Sequence, residues 1–536
     1  MNDKDNRNLA LNENESFIIQ APAGSGKTEL LTQRYLKLLS VSHNPENVIV
    51  MTFTKKAVNE LTKRVIDSLM LTKYTRPKEP HKQQTFDLAF AVMQKSSKEQ
   101  WQLLEMPHRL KISTIDSLSN LITNRYPVMG EIASKRIMEQ QWERYKSYKQ
   151  AAEQTLLAIN DDEYKQIIES VLLHLDNNIE KFYRLVIQML SKRDQWLSRL
   201  YKGETLDPKI LKESSSRIII QHLSALEKEA KKCINADFFD AISLNSFKEF
   251  SQIKAIPGAR LDDLRNWKSI CSLCLTGDKW RKTVNVNNGF SKELKEKKDS
   301  FILVLDELRS NDILRQLLYE LLLLPDIELQ NEQATIMHDI SQVLKLCVAQ
   351  LQIIFKNEQA CDYIEIALQA DNALDDRESI SDIALYLDYK INHILIDEFQ
   401  DTSSTQFSLI ERLINNWQKN SDKTIFLVGD PMQSIYRFRE SQVGLFLQVK
   451  EFGIADIKPK FLQLDANFRS TKSLVDENNK IFSHIFPKLE NIYNGAISYS
   501  YAYADSKAVD DCPVEMHLFS LHQQHKEAQQ VVQIIK

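Results

Sequence analysis

Two short stretches carry residue types that could handle a phosphate ester. The first is Ala21-Pro22-Ala23-Gly24-Ser25-Gly26-Lys27-Thr28, which follows the apolar run Phe17-Ile18-Ile19 and precedes a helical pattern over Glu29 to Leu39. Glycines at 24 and 26 let a backbone curl until successive N–H groups face one anion, and a helix N-terminus behind them adds the positive end of its dipole. Lys27 is then placed to meet the outer phosphates of a nucleoside triphosphate, and the Thr28 hydroxyl to ligate magnesium. Ala21 stands where the strict pattern has its first glycine, a small residue for a small one. The rival reading is a glycine-rich turn with an unrelated lysine; the strand before and the helix after argue against it.

The second stretch is Asp397-Glu398, at the end of the apolar run Ile394-Leu395-Ile396. Open parallel sheets bind ligands beyond the carboxyl ends of their strands. At such an edge Asp397 can hold magnesium, directly or through water, and Glu398 can polarise the water that attacks the γ-phosphorus. Alone, two acids after a strand could equally be an exposed turn. Beside a phosphate loop they are its expected partner.

Holding two such stretches together takes a sheet. Short apolar runs at Phe17-Ile18-Ile19, Val48-Ile49-Val50-Met51, Ile394-Leu395-Ile396, Ile425-Phe426-Leu427-Val428 and Phe461-Leu462-Gln463-Leu464 are each followed by a polar turn and a helical pattern, with Lys111-Ile112-Ser113-Thr114 a weaker example. That rhythm predicts a parallel α/β sheet. Between about residues 125 and 390 it gives way to helical spacing, as in Leu314 to Leu324 and Ile336 to Ile354, which predicts a helical domain inserted into the core. The charged, proline-containing segment Tyr74 to Gln84 reads as a surface loop, and Lys292 to Asp299 as a solvated helix face.

Bulk properties narrow the class. A chain of 536 residues exceeds one compact core. Its 43% hydrophobic and 26% charged content excludes a disordered or fibrous chain. No targeting peptide opens it, no run is long and apolar enough to span a bilayer, and a cytoplasmic location is expected. A net charge of −4 neither announces nor excludes a nucleic-acid binder. Its 6 cysteines are scattered and read as reduced thiols. Cys271 and Cys274 form a lone C-x-x-C without the four ligands of a zinc or iron–sulfur site.

With those elements in place, Asp397-Glu398-Phe399-Gln400-Asp401-Thr402 resembles motif II of UvrD/Rep-type superfamily 1 DNA helicases. Further segments follow in that family's order: Thr52-Phe53-Thr54-Lys55-Lys56-Ala57, Ser113-Thr114-Ile115-Asp116-Ser117, Gly429-Asp430-Pro431-Met432-Gln433-Ser434-Ile435-Tyr436-Arg437-Phe438-Arg439 and Leu464-Asp465-Ala466-Asn467-Phe468-Arg469-Ser470-Thr471. The long insertion and the Thr-Ile-Asp-Ser form are more similar to the exonuclease V beta-subunit (RecB/AddA-like) branch than to the shorter repair helicases. The resemblance implies ATP and magnesium as cofactors, with single-stranded or single-strand-tailed DNA as the track, walked 3′ to 5′ in recombination or repair. It leaves room for a nuclease or helicase partner subunit. Carried over by position, it implies that Gln433 senses the γ-phosphate, that Arg469 contacts it from a second lobe, and that Phe468 stacks on adenine. Phe53, Tyr436 and Phe438 fall where the family places aromatics against DNA bases. Plain core packing is the alternative for each aromatic.

In domain terms the resemblance implies a RecA-like phosphate-loop domain from residues 1–125 and 390–458, a helical insertion at 126–389, and the start of a second RecA-like lobe at 459–536. Three departures stand out. Arg7-Asn8-Leu9-Ala10 offers Arg where the family reads adenine with Gln, Glu29 stands where many members have an Arg lying on the base, and Lys55 replaces a frequent Asn. Nothing after Thr471 resembles the family's last two motifs, so the chain is expected to be the N-terminal portion of a longer motor. Two rival readings follow: a catalytically weak nucleotide- and DNA-binding module, or a phosphate-loop ATPase that acts on something other than nucleic acid.

Overall fold

A computed structural model of the chain describes residues 3–125, 135–197, 200, 208–243, 245–290, 294–324, 331–374, 382–417, 422–435, 442–492, 495–505, 517–520 and 522–535. It divides into two compact units, one of Met1–Met138 with Gln359–Lys536 and one of Glu139–Glu358.

The first unit is built on a 6-stranded sheet: β1 (Phe17–Gln20), β2 (Val48–Thr52), β3 (Lys111–Thr114), β4 (His393–Ile396), β5 (Thr424–Gly429) and β6 (Lys460–Gln463). Every apolar run read as a strand joins it. The spatial order is β6-β1-β5-β4-β2-β3, and all neighbours run parallel. Strands covered on both faces need apolar side chains at successive positions, and β1, β4 and β5 are buried throughout. Side chains alternate between two cores. Ile19, Val50, Leu395, Phe426, Val428 and Leu462 meet helices α1 (Asp3–Leu9), α2 (Lys27–Val41), α3 (Lys55–Leu71) and α4 (Pro80–Lys98) on one face. Ile18, Met51, Ile394, Ile396, Ile425 and Leu427 meet α5 (Ile115–Arg125), α6 (Tyr363–Leu374), α7 (Asp382–Lys390), α8 (Ser404–Ile414) and α9 (Val443–Phe452) on the other.

Register then places the chemistry. Gln20 pairs with Gly429, and Ile396 with Leu427, so the loops leaving β1, β5 and β4 emerge at one level on one edge. The phosphate loop and the paired acids are separated by a single strand, a gap of about 10 Å at ordinary strand spacing.

Three expectations need correcting. Residue 459 was the expected start of a second lobe, yet β6 hydrogen-bonds to β1 as the edge of this same sheet, because Phe461-Leu462 continues the core's apolar alternation. The insertion was expected over 126–389, yet α6 and α7 bury Ala370, Leu374, Ile383 and Leu387 against the sheet, and the second unit ends at Glu358. The loop read over Tyr74 to Gln84 stops at Glu79, since Pro80 starts α4 at a position where a missing N–H costs nothing.

The second unit is helical, with long segments at Gln141–Leu157, Pro208–Cys233, Lys295–Leu308 and Asn331–Glu358. Cys271 and Cys274 lie buried in its Leu264–Cys274 helix, where the Cys271 thiol donates to Leu318 O at 3.0 Å. Burial pushes the Cys271 thiol up to about 11 and raises Cys274 as well. Among the described residues no helix is long and apolar enough to cross a membrane.

Candidate active site

The phosphate loop leaves β1 with Ala21 N–H donating to Gly429 O at 2.9 Å. Gly24 and Gly26 then take φ of 77° and 72°, the left-handed region in which a side chain would be strained. Pro22 and Ser25 are buried, Ala23 is exposed, and Thr28 is half-buried on the first turn of α2. Gly26 forms the N-cap of α2, and no side chain caps that helix's first N–H groups. The Ser25 hydroxyl is buried without a hydrogen-bond partner. Uncapped amides and an orphaned hydroxyl on one turn fit an anion of the triphosphate type.

Lys27 reaches across the intervening strand. Its Nζ donates to Glu398 Oε1 at 2.8 Å and Oε2 at 2.7 Å, so the two predicted stretches meet. Glu398 has φ 53°, an uncommon left-handed conformation for a residue with a side chain, which persists only where surroundings hold it. Asp397 is anchored by its own N–H to Met51 O at 2.9 Å, and its Oδ1 accepts from Glu398 N–H at 3.0 Å. Burial first, and then the neighbouring Glu398 charge, lift the Asp397 carboxyl to about 6. Burial likewise lifts Asp401 to about 6, against a 3.0 Å hydrogen bond from Ser434 Oγ. Crowded, desolvated carboxylates beside a phosphate loop suit a divalent cation, whose charge would relieve the penalty.

One further side chain organises these acids. Gln400 is 1% exposed; its Nε2 donates to Glu398 Oε2 at 2.7 Å and more weakly to Asp401 Oδ2 at 3.3 Å, and its Oε1 accepts Asp430 N–H at 2.9 Å. Asp430 in turn accepts Gln433 Nε2 at 2.6 Å, leaving Gln433 exposed at the rim. Burial raises the Asp430 carboxyl, and the Gln433 hydrogen bond opposes the rise. Gln400 was not among the residues singled out from sequence. It lies inside the quoted motif, but nothing in the string of letters shows a buried amide bonded at both ends.

The turn after β6 closes over the phosphate loop. Phe468 N–H donates to Gly24 O at 2.9 Å, and a Cβ at Gly24 would lie 2.5 Å from Asn467 Oδ1 and 3.0 Å from Arg469 Cβ. Gly24 is therefore required by close approach as well as by φ. Arg469 and Phe468 are exposed beside the loop, Phe468 by 50%. The Arg7 guanidinium lies 5.2 Å from the Phe468 ring centroid, donates to Ser25 O at 2.5 Å and pairs with Asp3 at 2.6 Å. Asp3 Oδ1 also accepts Asp465 N–H at 3.0 Å, so α1 pins this turn to the loop. Glu29 turns away toward α3 and α4, accepting from Thr85 Oγ1 at 2.5 Å and pairing with Arg64 at 3.4 Å. Of the aromatics read as DNA contacts, Phe53 is half-buried just after β2, while Tyr436 and Phe438 lie outside the described residues.

Against known proteins, residues 1–452 match the UvrD/REP helicase N-terminal domain. The chain is 23% identical over 550 residues to an ATP-dependent helicase/nuclease subunit of Oceanobacillus iheyensis, covering 93% of this chain and 40% of that protein. It is 25% identical to the like-named protein of Lactobacillus acidophilus, over 88% of this chain and 39% of that one. For Staphylococcus haemolyticus the identity is 24%, over 94% and 41%. The chain thus spans about 40% of the length of these curated relatives.

Proposed function

The chain belongs to the UvrD/REP helicase family, and from that premise we propose that it is the nucleotide-binding portion of an ATP-driven DNA helicase of recombination or repair, working in the cytoplasm. The observation that carries this reading is the Lys27–Glu398 contact, which joins the glycine turn to the paired acids across a single strand.

In this reading the curled backbone of Ala21 to Gly26 and the uncapped N–H groups of α2 hold the phosphates. Lys27 leaves Glu398 for the phosphate oxygens, which frees the Glu398 carboxylate to take a proton from the attacking water. Thr28 and Asp397 would hold magnesium, which would supply charge neutralisation at the phosphates. Gln433, at the rim, orients toward the γ-phosphate, and Arg469 answers the charge that develops there. Phe468 offers an aromatic face to the base, in contact with Arg7 in place of an amide. Phe53, with Tyr436 and Phe438, stacks on bases of single-stranded DNA, a contact tolerant of sequence and worth about 1 to 3 kcal/mol per base. The second unit serves as the insertion domain, and the segment following β6 begins the second lobe. Translocation is 3′ to 5′. Relatives named as one subunit of a helicase/nuclease point to a partner protein that completes the assembly.

Hydrolysis of ATP by the full chain, measured with and without single-stranded DNA, tests the reading. Lys27→Ala is expected to abolish DNA-stimulated turnover while leaving the fold intact by circular dichroism. Unchanged turnover in that variant would end the proposal.

A further inference from the structure

Both groups read as acting at the γ-phosphate, Glu398 and Gln433, are linked through one buried side chain, Gln400, which bonds Glu398 directly and Gln433 by way of Asp430. We propose that Gln400 is a positioning residue that sets the Glu398 carboxylate and the Asp430–Gln433 turn together, so that the water-activating group and the phosphate-sensing amide move as one piece. This rests on the helicase reading given above.

The orientation of the Gln400 amide is fixed by chemistry. Its nitrogen faces two carboxylates, Glu398 at 2.7 Å and Asp401 at 3.3 Å, which only accept. Its oxygen faces the Asp430 backbone N–H at 2.9 Å, which only donates. Rotating the amide by half a turn would set oxygen against two carboxylates and nitrogen against a donor. The site is also tailored to the amide. A Cβ at Gly429 would fall 2.4 Å from Gln400 Oε1, so the end of β5 must be glycine for the amide to lie there. From Asp430 the chain of contacts runs to Gln433 Nε2 at 2.6 Å; from Glu398 it runs to Lys27 Nζ. A continuous polar path thus joins the phosphate-loop lysine to the exposed amide at the rim, and Gln400 carries it from the turn after β4 to the turn after β5, beside the Asp401–Ser434 hydrogen bond that also links them. A buried side chain bonded at both ends has one arrangement, so it transmits position where a solvated one would not.

Gln400→Met keeps length and approximate volume but breaks every bond the amide makes. In the full chain, the affinity for magnesium–ADP carrying a fluorescent ribose label is expected to stay within about twofold of wild type, because the phosphate loop is untouched. The preference for the slowly hydrolysed ATPγS over ADP should fall by about tenfold, and kcat for ATP by about 10- to 100-fold with KM within about threefold, the usual cost of losing a group that orients a reacting one. Placed on Glu398→Gln, the same change should add no further loss in kcat, since a residue acting through Glu398 has nothing left to position. Should Gln400→Met fail to fold, Gln400→Glu retains an acceptor for Asp430 N–H and sets a carboxylate against Glu398. It should lose turnover and triphosphate preference at least as severely.

Wild-type preference and kcat in Gln400→Met or in folded Gln400→Glu would overturn the inference, as would losses that multiply in the double variant. If Lys27→Ala is inactive while Gln400→Met is normal, only the role of Gln400 falls. If Lys27→Ala hydrolyses ATP like wild type, the helicase reading falls and this inference falls with it.

Discussion

Asp397 illustrates what burying an ionisable carboxyl at the edge of a sheet costs the fold. Its carboxyl ionises near 6 in the fold, chiefly because it is buried, and near 4 in an unfolded chain. Above pH 6 the ionised group therefore penalises the metal-free fold; as pH drops below 6 the folded chain takes up the proton and the penalty shrinks, reaching zero only below about pH 4, where the unfolded chain is protonated too. Without divalent cations, Asp397→Asn is expected to stabilise the chain at pH 7 by about 1 to 3 kcal/mol, an advantage that shrinks toward zero by about pH 4. Thermal unfolding of the two proteins in EDTA across that range checks the sign, and a variant less stable than wild type at pH 7 would contradict it. The same substitution should weaken magnesium-dependent nucleotide binding. Residue types and spacing made Lys27, Asp397 and Glu398 legible in the amino-acid sequence, because glycines before a lysine and acids after a strand announce their chemistry. Gln400, Asn467 and the Asp3–Arg7 pair did not announce theirs. Their parts depend on burial and on neighbours that only the fold brings up, 30 positions away for Gln400 against Asp430 and 462 for Asp3 against Asp465.

At the scale of elements, the strands were readable because burial on both faces demands unbroken apolar runs, and even the weaker Lys111 to Thr114 found its place at the far edge. Boundaries were less so. The helical spacing of α6 and α7 is the same whether a helix covers a sheet or joins a bundle, and only the partner decides. Arg34, unremarked in the sequence, ties several elements together. It is fully buried on α2, donates to Ala10 O at 3.2 Å, Glu15 O at 2.9 Å and Asn12 O, and reaches Thr424 at the start of β5. Its guanidinium also sits over the Phe17 and Phe426 rings. Arg34→Met takes the guanidinium donors from the buried Ala10 carbonyl and the half-buried Glu15 carbonyl, and leaves Asn12 O only the Glu15 N–H, so we expect a loss of about 2 to 4 kcal/mol in denaturant unfolding, with nucleotide affinity falling only as far as the folded fraction does. A change in affinity beyond that would show that the arginine acts on the phosphate loop directly.

Among the described residues the chemistry gathers on one edge of one sheet, from segments as far apart as Arg7 and Arg469, and none of the residues that meet there comes from the second unit. The chain leaves the first unit and returns to it through a single short parallel pair, Arg136–Ile137 beside Ala360–Cys361, with Arg136 N–H on Gln359 O at 3.0 Å and Met138 N–H on Cys361 O at 2.8 Å. Strands this close make the intervening 220 positions a candidate for removal: Glu139–Glu358 replaced by a flexible linker of about a dozen residues, the length a crossover between parallel strands needs, would leave the pair in place. The spliced protein should fold, melt cooperatively and bind labelled ADP within about threefold of the parent, there being only a short loop to close.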